Sequence, residues 1–324
     1  MKTLIALLAT LAMSLSASGA SAKDFPDGPI HMIVGYSAGG PTDVIARLIA
    51  KSMTATLGQS VVVENRTGAV SMIATRDVAR AAPDGYTLLF TSLSLNVNPL
   101  LLGEKAGYDP KDFAPISLVA TLPLVAVTRY DSPVKSIKEL IDKARAKPGA
   151  VTFGSSGVGG SAHLAAAMMG IMAKVKMLHV PFRGNAPALA EVMAGRVDFM
   201  FYPSIGISNY VNQKRLRVLA VGTAKPLADF PGVPTMNHEG FPGFELTAPW
   251  VGLLAPAKTP AKIVAQLNKA VVEALKDPEI QKRLHDLGAI TQSDTPQEFR
   301  NYLNKDKERW AHVIKAADIK IDAK

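Results

Sequence analysis

The sequence predicts an α/β protein of two domains with largely parallel sheets, and three observations carry that prediction. Short apolar runs alternate with helical stripes along most of the chain. A strand, a turn of small residues and a helix start occur twice, at 34–40 and again at 153–160. The 324 residues contain no low-complexity tract and no repeat of solenoid period, and they suffice for two ordinary domains.

Residues 1–22 stand apart. Met1, Lys2 and Thr3 precede an apolar run from Leu4 to Leu15 and then Ala20, Ser21 and Ala22, the pattern of a secretory leader with an A-x-A cleavage site. The run is shorter than the ~20 residues that cross a bilayer, so the expectation is a soluble exported chain starting at Lys23, suited to a bacterial periplasm. The first strand is Ile30 to Val34, followed by a helical stripe at Val44, Ile45, Leu48 and Ile49. Strands follow at Val61 to Val63 and, after the turn Pro83-Asp84-Gly85, at Tyr86 to Phe90. The spacing of Ser136 and Glu139 fits a capping box opening a helix that ends before Pro148 and Gly149. Val151 to Phe153, a helix from about Ser161, and strands near Met177 to Val180 and Val197 to Phe201 make the second α/β unit. Ile263, Val264, Leu267, Val271, Val272 and Leu275 form a core-type helical stripe, and 295–317 reads as one more long helix.

Composition removes several chemistries. With no cysteine there is no disulfide framework, thiol nucleophile, cysteine zinc site or lipid attachment through a leading cysteine. The six histidines contain no HExxH pair. The formal charge of +9, or +8 once Lys2 is removed with the leader, attracts anions by long-range field and does not by itself imply nucleic acid.

The repeated glycine turns, Val34-Gly35-Tyr36-Ser37-Ala38-Gly39-Gly40 and Phe153-Gly154-Ser155-Ser156-Gly157-Val158-Gly159-Gly160, each place free backbone N–H groups beside a helix N-terminus. Facing each other across a cleft, they suit a ligand negative at both ends. Gly35-Tyr36-Ser37-Ala38-Gly39 also matches the GxSxG elbow of secreted serine hydrolases, with Ser37 as nucleophile and His179 available to a triad. Ser37 lies too early in the chain for an elbow, which normally follows several strands, so the binding-loop reading is preferred. Neither turn meets the GxxxxGK[ST] pattern, and no acid is placed for a ribose. Asp43 lies in the first helical turn, where it suits the helix dipole and can hold the glycine loop in shape. His163 reads as a capping or surface group and His179 as structural. Arg183 has the planar guanidinium to pair with a carboxylate, and Phe182 can wall a pocket.

Six segments in order resemble the periplasmic receptors of tripartite tricarboxylate transporters, the Bug family of solute-binding proteins. They are 39–43 (GGPTD), 62–66 (VVENR), 82–89 (APDGYTLL), 112–117 (DFAPIS), 179–184 (HVPFRG) and 252–256 (GLLAP). The resemblance implies a type II periplasmic binding protein fold, two α/β lobes with two chain crossovers as the hinge. The crossovers are expected near Leu122 to Val125 and Val221 to Ala224, giving lobe one as 23–123 plus 224–324 and lobe two as 124–223. It further implies a monomer that binds a small organic carboxylate, chiefly a dicarboxylate, and hands it to membrane permease subunits, with no enzyme activity, cofactor, metal or nucleic acid. Carried over by position, Tyr36, Ser37, Gly39 and Gly40 would hold one carboxylate, and Ser155, Ser156, Gly159 and Ser161 the other, with Ser92 and the segment through Asn96 at the cleft edge.

Three departures stand out. Gly35, Ser37 and Ala38 replace the prolines usual in the family's first loop. Thr67-Gly68-Ala69-Val70-Ser71-Met72 replaces its usual proline and glycine pattern after Asn65-Arg66. Tyr202 lies where many relatives carry an acid, which argues against an amino acid ligand and suggests that Tyr36, Phe182 and Tyr202 flank an aromatic diacid.

Overall fold

A computed structural model describes residues 25–182, 184–204 and 207–320. The leader and Arg183 lie outside these residues. Strand β1 (Ile30–Val34) is apolar on nearly every residue because both faces of its sheet are covered. It pairs in parallel with β2 (Val61–Asn65) on one side and β3 (Thr87–Ser92) on the other. Helix α1 (Pro41–Leu57) joins β1 to β2. It begins with Pro41, whose missing N–H costs nothing at a first helical position, and stops at Gly58 in the left-handed region. Its buried stripe of Ile45, Ile49 and Met53 lies in the first core. Helix α2 (Met72–Ala79) links β2 to β3, and α3 (Ser94–Leu102) follows β3.

The chain then enters β4 (Phe113–Thr121), crosses at Leu122–Pro123, and starts a second sheet with β5 (Leu124–Arg129). Helix α4 (Ile137–Ala146) follows, capped by Ser136, which accepts from the Glu139 N–H. Only that half of the expected capping box forms, since the Glu139 carboxylate takes the N–H of Lys135. Strand β6 (Thr152–Ser155), α5 (Ser161–Ala173), β7 (Leu178–Pro181), α6 (Asn185–Met193), β8 (Phe199–Pro203), α7 (Ile207–Asn212) and β9 (Leu216–Val221) complete the second lobe's regular elements. The return strand β10 (Trp250–Pro256) rejoins the first sheet, followed by α8 (Ala261–Lys276), α9 (Pro278–Asp286), β11 (Ile290–Thr291) and α10 (Pro296–Ala316).

The two sheets share one plan. Their orders are β2-β1-β3-β10-β4-β11 and β7-β6-β8-β5-β9. Each has three parallel strands and then an antiparallel strand in the fourth place. The sheets are therefore mixed and not largely parallel: β10 and β5 are the strands on which the chain arrives from the other lobe, and both run against their parallel neighbours. Alternation with helices marks β1 to β3 and β6 to β8 in the sequence. The sequence reading found none of β4, β5, β9 and β10 as strands; β4 runs into β5 with no helix between them, and β10 follows β9 after a long stretch without an α-helix.

The second crossing falls later than expected. Residues beyond Val221 stay with lobe two, because Met236, Phe241 and Phe244 are buried in its core. The chain passes to the first sheet at Pro249, whose carbonyl accepts from the Leu122 N–H at 2.8 Å and so ties the two crossovers together. A further contact joins the lobes: α10 of lobe one packs on α5 of lobe two, with Leu164, Trp310 and Val313 in one apolar cluster. Among the described residues, no helix is long and apolar enough to cross a membrane.

Candidate functional site

In an open α/β sheet a ligand crevice forms where neighbouring strands send their chains to opposite sides. In lobe one that point lies between the ends of β1 and β3, since α1 leads outward from β1 and the chain returns to β3 on its other side. Lobe two repeats it between β6 and β8. A cavity of about 420 Å³ joins these crevices, with Tyr36, Ser37, Ser92 and Ser94 from lobe one and Ser156, Gly159 and Pro203 from lobe two. Its volume falls within the roughly 300–1,000 Å³ of small-molecule sites. Leu122 and Pro249, the two crossover residues, form part of the same wall.

The helix starts around this cavity have a common property. Helices α1, α5 and α6 follow Gly40, Gly160 and Gly184, and α3 follows Leu93; none of these ends has a side-chain cap. All four of those preceding residues line the cavity. Elsewhere Ser136, Asp277 and Thr295 cap α4, α9 and α10 through side-chain oxygens, although α2 after Ser71 and α8 after Pro260 start without one. Uncapped N–H groups carry about half a positive charge at each helix end. Of the described residues that line the cavity none is charged, so its positive potential comes from backbone dipoles and hydroxyls.

Each loop is braced from behind. In lobe one the Asp43 carboxylate accepts from the Gly39 N–H at 2.8 Å, from Arg47 Nε at 3.0 Å and from Asn65 Nδ2 at 2.8 Å. Asn65 Nδ2 also donates to the Tyr36 carbonyl. Burial alone would raise the Asp43 carboxyl, but the hydrogen bonds from Arg47, Gly39 and Asn65 outweigh it and hold the group below its usual range. Asp43 thus shapes the loop and does not line the cavity. The Tyr36 hydroxyl reaches Ser94 Oγ at 2.7 Å, and burial pushes the phenol above its ordinary value.

In lobe two Ser155 Oγ shares a 2.6 Å hydrogen bond with His179 Nε2 and accepts from the Gly157 N–H. The Gly159 N–H donates to His163 Nδ1 at 3.1 Å. The two imidazoles stack at 3.8 Å between centroids, and Phe153 stacks on His179 at 5.0 Å. Burial lowers His163 to about 3, helped by its neighbour, and lowers His179 to about 4, so both rings are neutral near pH 7. His163 is buried and not a surface group, and it braces the loop at Gly159, one residue before the uncapped helix start, instead of capping the helix.

The predicted residues divide as follows. Tyr36, Ser37, Gly40, Ser92, Ser156, Gly159 and Ser161 come together at the cavity. Gly39 serves as a donor to Asp43, and Ser155 is fully buried beneath its loop. Asn96 turns into the core, where it donates to Asp306 and the Leu303 carbonyl. Phe182 and Tyr202 pack on a lobe-two cluster with Val125 and Met200, so the three-ring arrangement is not present. Ser94 lies within the segment from Ser92 through Asn96 expected at the cleft edge, and it lines the cavity. Sequence reasoning missed Gly184, Asn185, Pro203 and Pro249. Asn185 is legible as a helix start after a strand, whereas Pro249 depends on the tertiary crossing.

Comparison with known proteins gives the family and the fold. The model of the tripartite tricarboxylate transporter family receptor matches residues 45–319. The chain belongs to this family. It is 38% identical over 94% of its length to a protein encoded between tcbD and tcbE in Pseudomonas sp. strain P51, covering 91% of that protein. It is 33% identical to BugT of Bordetella pertussis, covering 97% of this chain and 98% of BugT. Two solved structures are close in shape. Rpa4515 of R. palustris with adipate superposes with a TM-score of 0.80 at 33% identity, covering 92% of this chain and 99% of that one. MatC of Rhodopseudomonas palustris with bound malate gives 0.76 at 32%, covering 90% and 100%. The family and these neighbours are solute-binding receptors and not enzymes. The GxSxG match at Ser37 is accordingly not the elbow of a hydrolase, and His179 is committed to Ser155 in the other lobe.

Proposed function

We propose that this protein is a periplasmic receptor that captures a small dicarboxylate between its lobes and delivers it to the membrane permease of a tripartite tricarboxylate transporter. The observation that carries the reading is the convergence of four uncapped helix starts on one cavity whose described lining has no charged side chain. Carboxylate oxygens satisfy such N–H groups, and a dianion with one charge at each lobe draws the lobes together. Closure then favours the liganded form by the ligand's preference for it, and the closed shape is what a permease would read. The adipate and malate bound to the two neighbours have the same chemistry. Tyr36, Ser37 and Gly40 would hold one end, and Ser156, Gly159 and Ser161 the other.

The leader at 1–22 supports export, and a site built between the two lobes of a single chain supports one ligand per monomer. A melting-temperature screen of the chain from Lys23 against aliphatic diacids, hydroxy diacids, aromatic diacids, acidic amino acids and phosphate tests the reading. A ligand at 100 times its dissociation constant adds about 2.7 kcal/mol of stability. Diacids should raise the transition, while phosphate and amino acids should leave it in place. A response to phosphate alone would overturn the assignment.

A further inference from the structure

The segment after β2 departs from ordinary backbone geometry. Gly68, Ala69, Val70 and Ser71 have φ values of 131°, 47°, 53° and 70°, four positive values in a row of which only the first belongs to glycine. For a β-branched residue such a value is a real outlier, because Cβ meets the neighbouring backbone. Conformations of this kind persist when the surroundings over-determine them, and they gather at ligand clamps. Here both sides are fixed. Asn98 Nδ2 donates to the Val70 carbonyl at 2.9 Å. Ser71 is 1% exposed and packs so close to the end of β1 that a Cβ on Gly35 would lie 1.9 Å from its hydroxyl.

Between these anchors the Val70 side chain is left 57% exposed, and it lines the ligand cavity. Leu93, Leu122, Pro203 and Pro249 supply further apolar wall. Glycine would adopt the same backbone without strain and would leave that wall open. What valine adds at this position is an isopropyl group facing the cleft.

We propose that Val70 is a specificity-determining residue, held in a strained turn so that its side chain packs on the carbon body of the ligand and selects diacids with an unsubstituted hydrocarbon chain over hydroxylated ones. This rests on the dicarboxylate-receptor reading. A hydroxyl on the ligand body next to Val70 loses water and gains no partner, and that penalty sets the preference.

The test uses Val70→Thr, which keeps the branched shape and adds a hydroxyl, and Val70→Gly, which relieves the strain. Adipate and malate are the probes, titrated calorimetrically into the chain from Lys23. Wild type should bind adipate more tightly, and Val70→Thr should shift the adipate-to-malate affinity ratio about tenfold toward malate. Val70→Gly should weaken adipate by a similar factor while the unliganded protein melts about 2 °C higher, since a left-handed valine is no longer enforced. Binding of both acids with a ratio unmoved in either variant overturns the assignment of Val70 and leaves the receptor reading standing. Binding of neither acid by wild type overturns the receptor reading itself.

Discussion

Lobe one and lobe two present the same feature, a glycine turn leading into an uncapped helix, and brace it with opposite chemistry. The first turn hangs on an ionised carboxylate, with Asp43 gathering Gly39, Arg47 and Asn65. The second hangs on two neutral stacked imidazoles, with His163 accepting from Gly159 and His179 bonded to Ser155. Neither brace enters the cavity. On the proposed reading backbone dipoles meet the ligand's charge in both lobes, while the groups that aim those dipoles respond differently to pH.

Acid is the largest lever on that contrast. The folded values of about 3 and about 4 for His163 and His179 lie below the unfolded value of 6.5, so the unfolded chain binds protons first as pH falls. Their contribution is complete above about pH 6.5 and is lost as pH drops toward 4 and then 3. Each ring costs about 1–2 kcal/mol by pH 5, while Asp294, which burial raises to about 6, gains stability over the same window as the folded state takes up its proton, so melts between pH 7 and pH 4.5 should show a net loss smaller than the two rings alone would give. Replacing His179 by Gln should flatten the slope. Asp43, held below its usual range, adds nothing to the slope in that window. A His179→Gln curve with the same slope as wild type over this range would break the contrast.

Next in size is Asp43→Ala, which leaves the Gly39 N–H and the Asn65 amide without their acceptor. It should destabilise by about 2–3 kcal/mol and weaken diacid binding, as read by denaturant melts and calorimetry. An equal loss of binding from removing Arg47, which is half exposed, would show that charge and not loop shape matters. The smallest effect belongs to Tyr202→Ala. Because that ring packs with Val125 and Met200 and does not line the cavity, the ratio of affinities for terephthalate and adipate should change by less than about twofold. A selective loss of the aromatic diacid would restore the stacking arrangement suggested by sequence.

The parts legible in the sequence are those written in local pattern. Helix α8 and the ends of β1 follow from apolar spacing, and the glycine turns by themselves mark both loops. Ser37, Ser92, Ser156 and Ser161 are readable as cleft residues because they follow strands or open helices. Phe182 and Tyr202 are misread for the complementary reason. Which face of a strand end meets a cleft depends on the opposing lobe, and a run such as Phe199–Pro203, apolar at nearly every position, does not say which side is solvent. The second crossing is misplaced by sequence because Met236, Phe241 and Phe244 lie in irregular chain, whose burial has no periodicity to read. The stacked histidines are 16 residues apart in sequence and meet only through the packing of α5 on β6 and the pairing of β6 with β7.

On the proposed reading, backbone dipoles from the two lobes hold a dianion between them. Calorimetric titration of the chain from Lys23 with adipate, and in parallel with its neutral dimethyl ester, tests it most directly. The account predicts one site per chain for adipate and at least about a hundredfold weaker binding of the ester, since two charge-assisted sets of hydrogen bonds are lost. Equal affinity for acid and ester would contradict it.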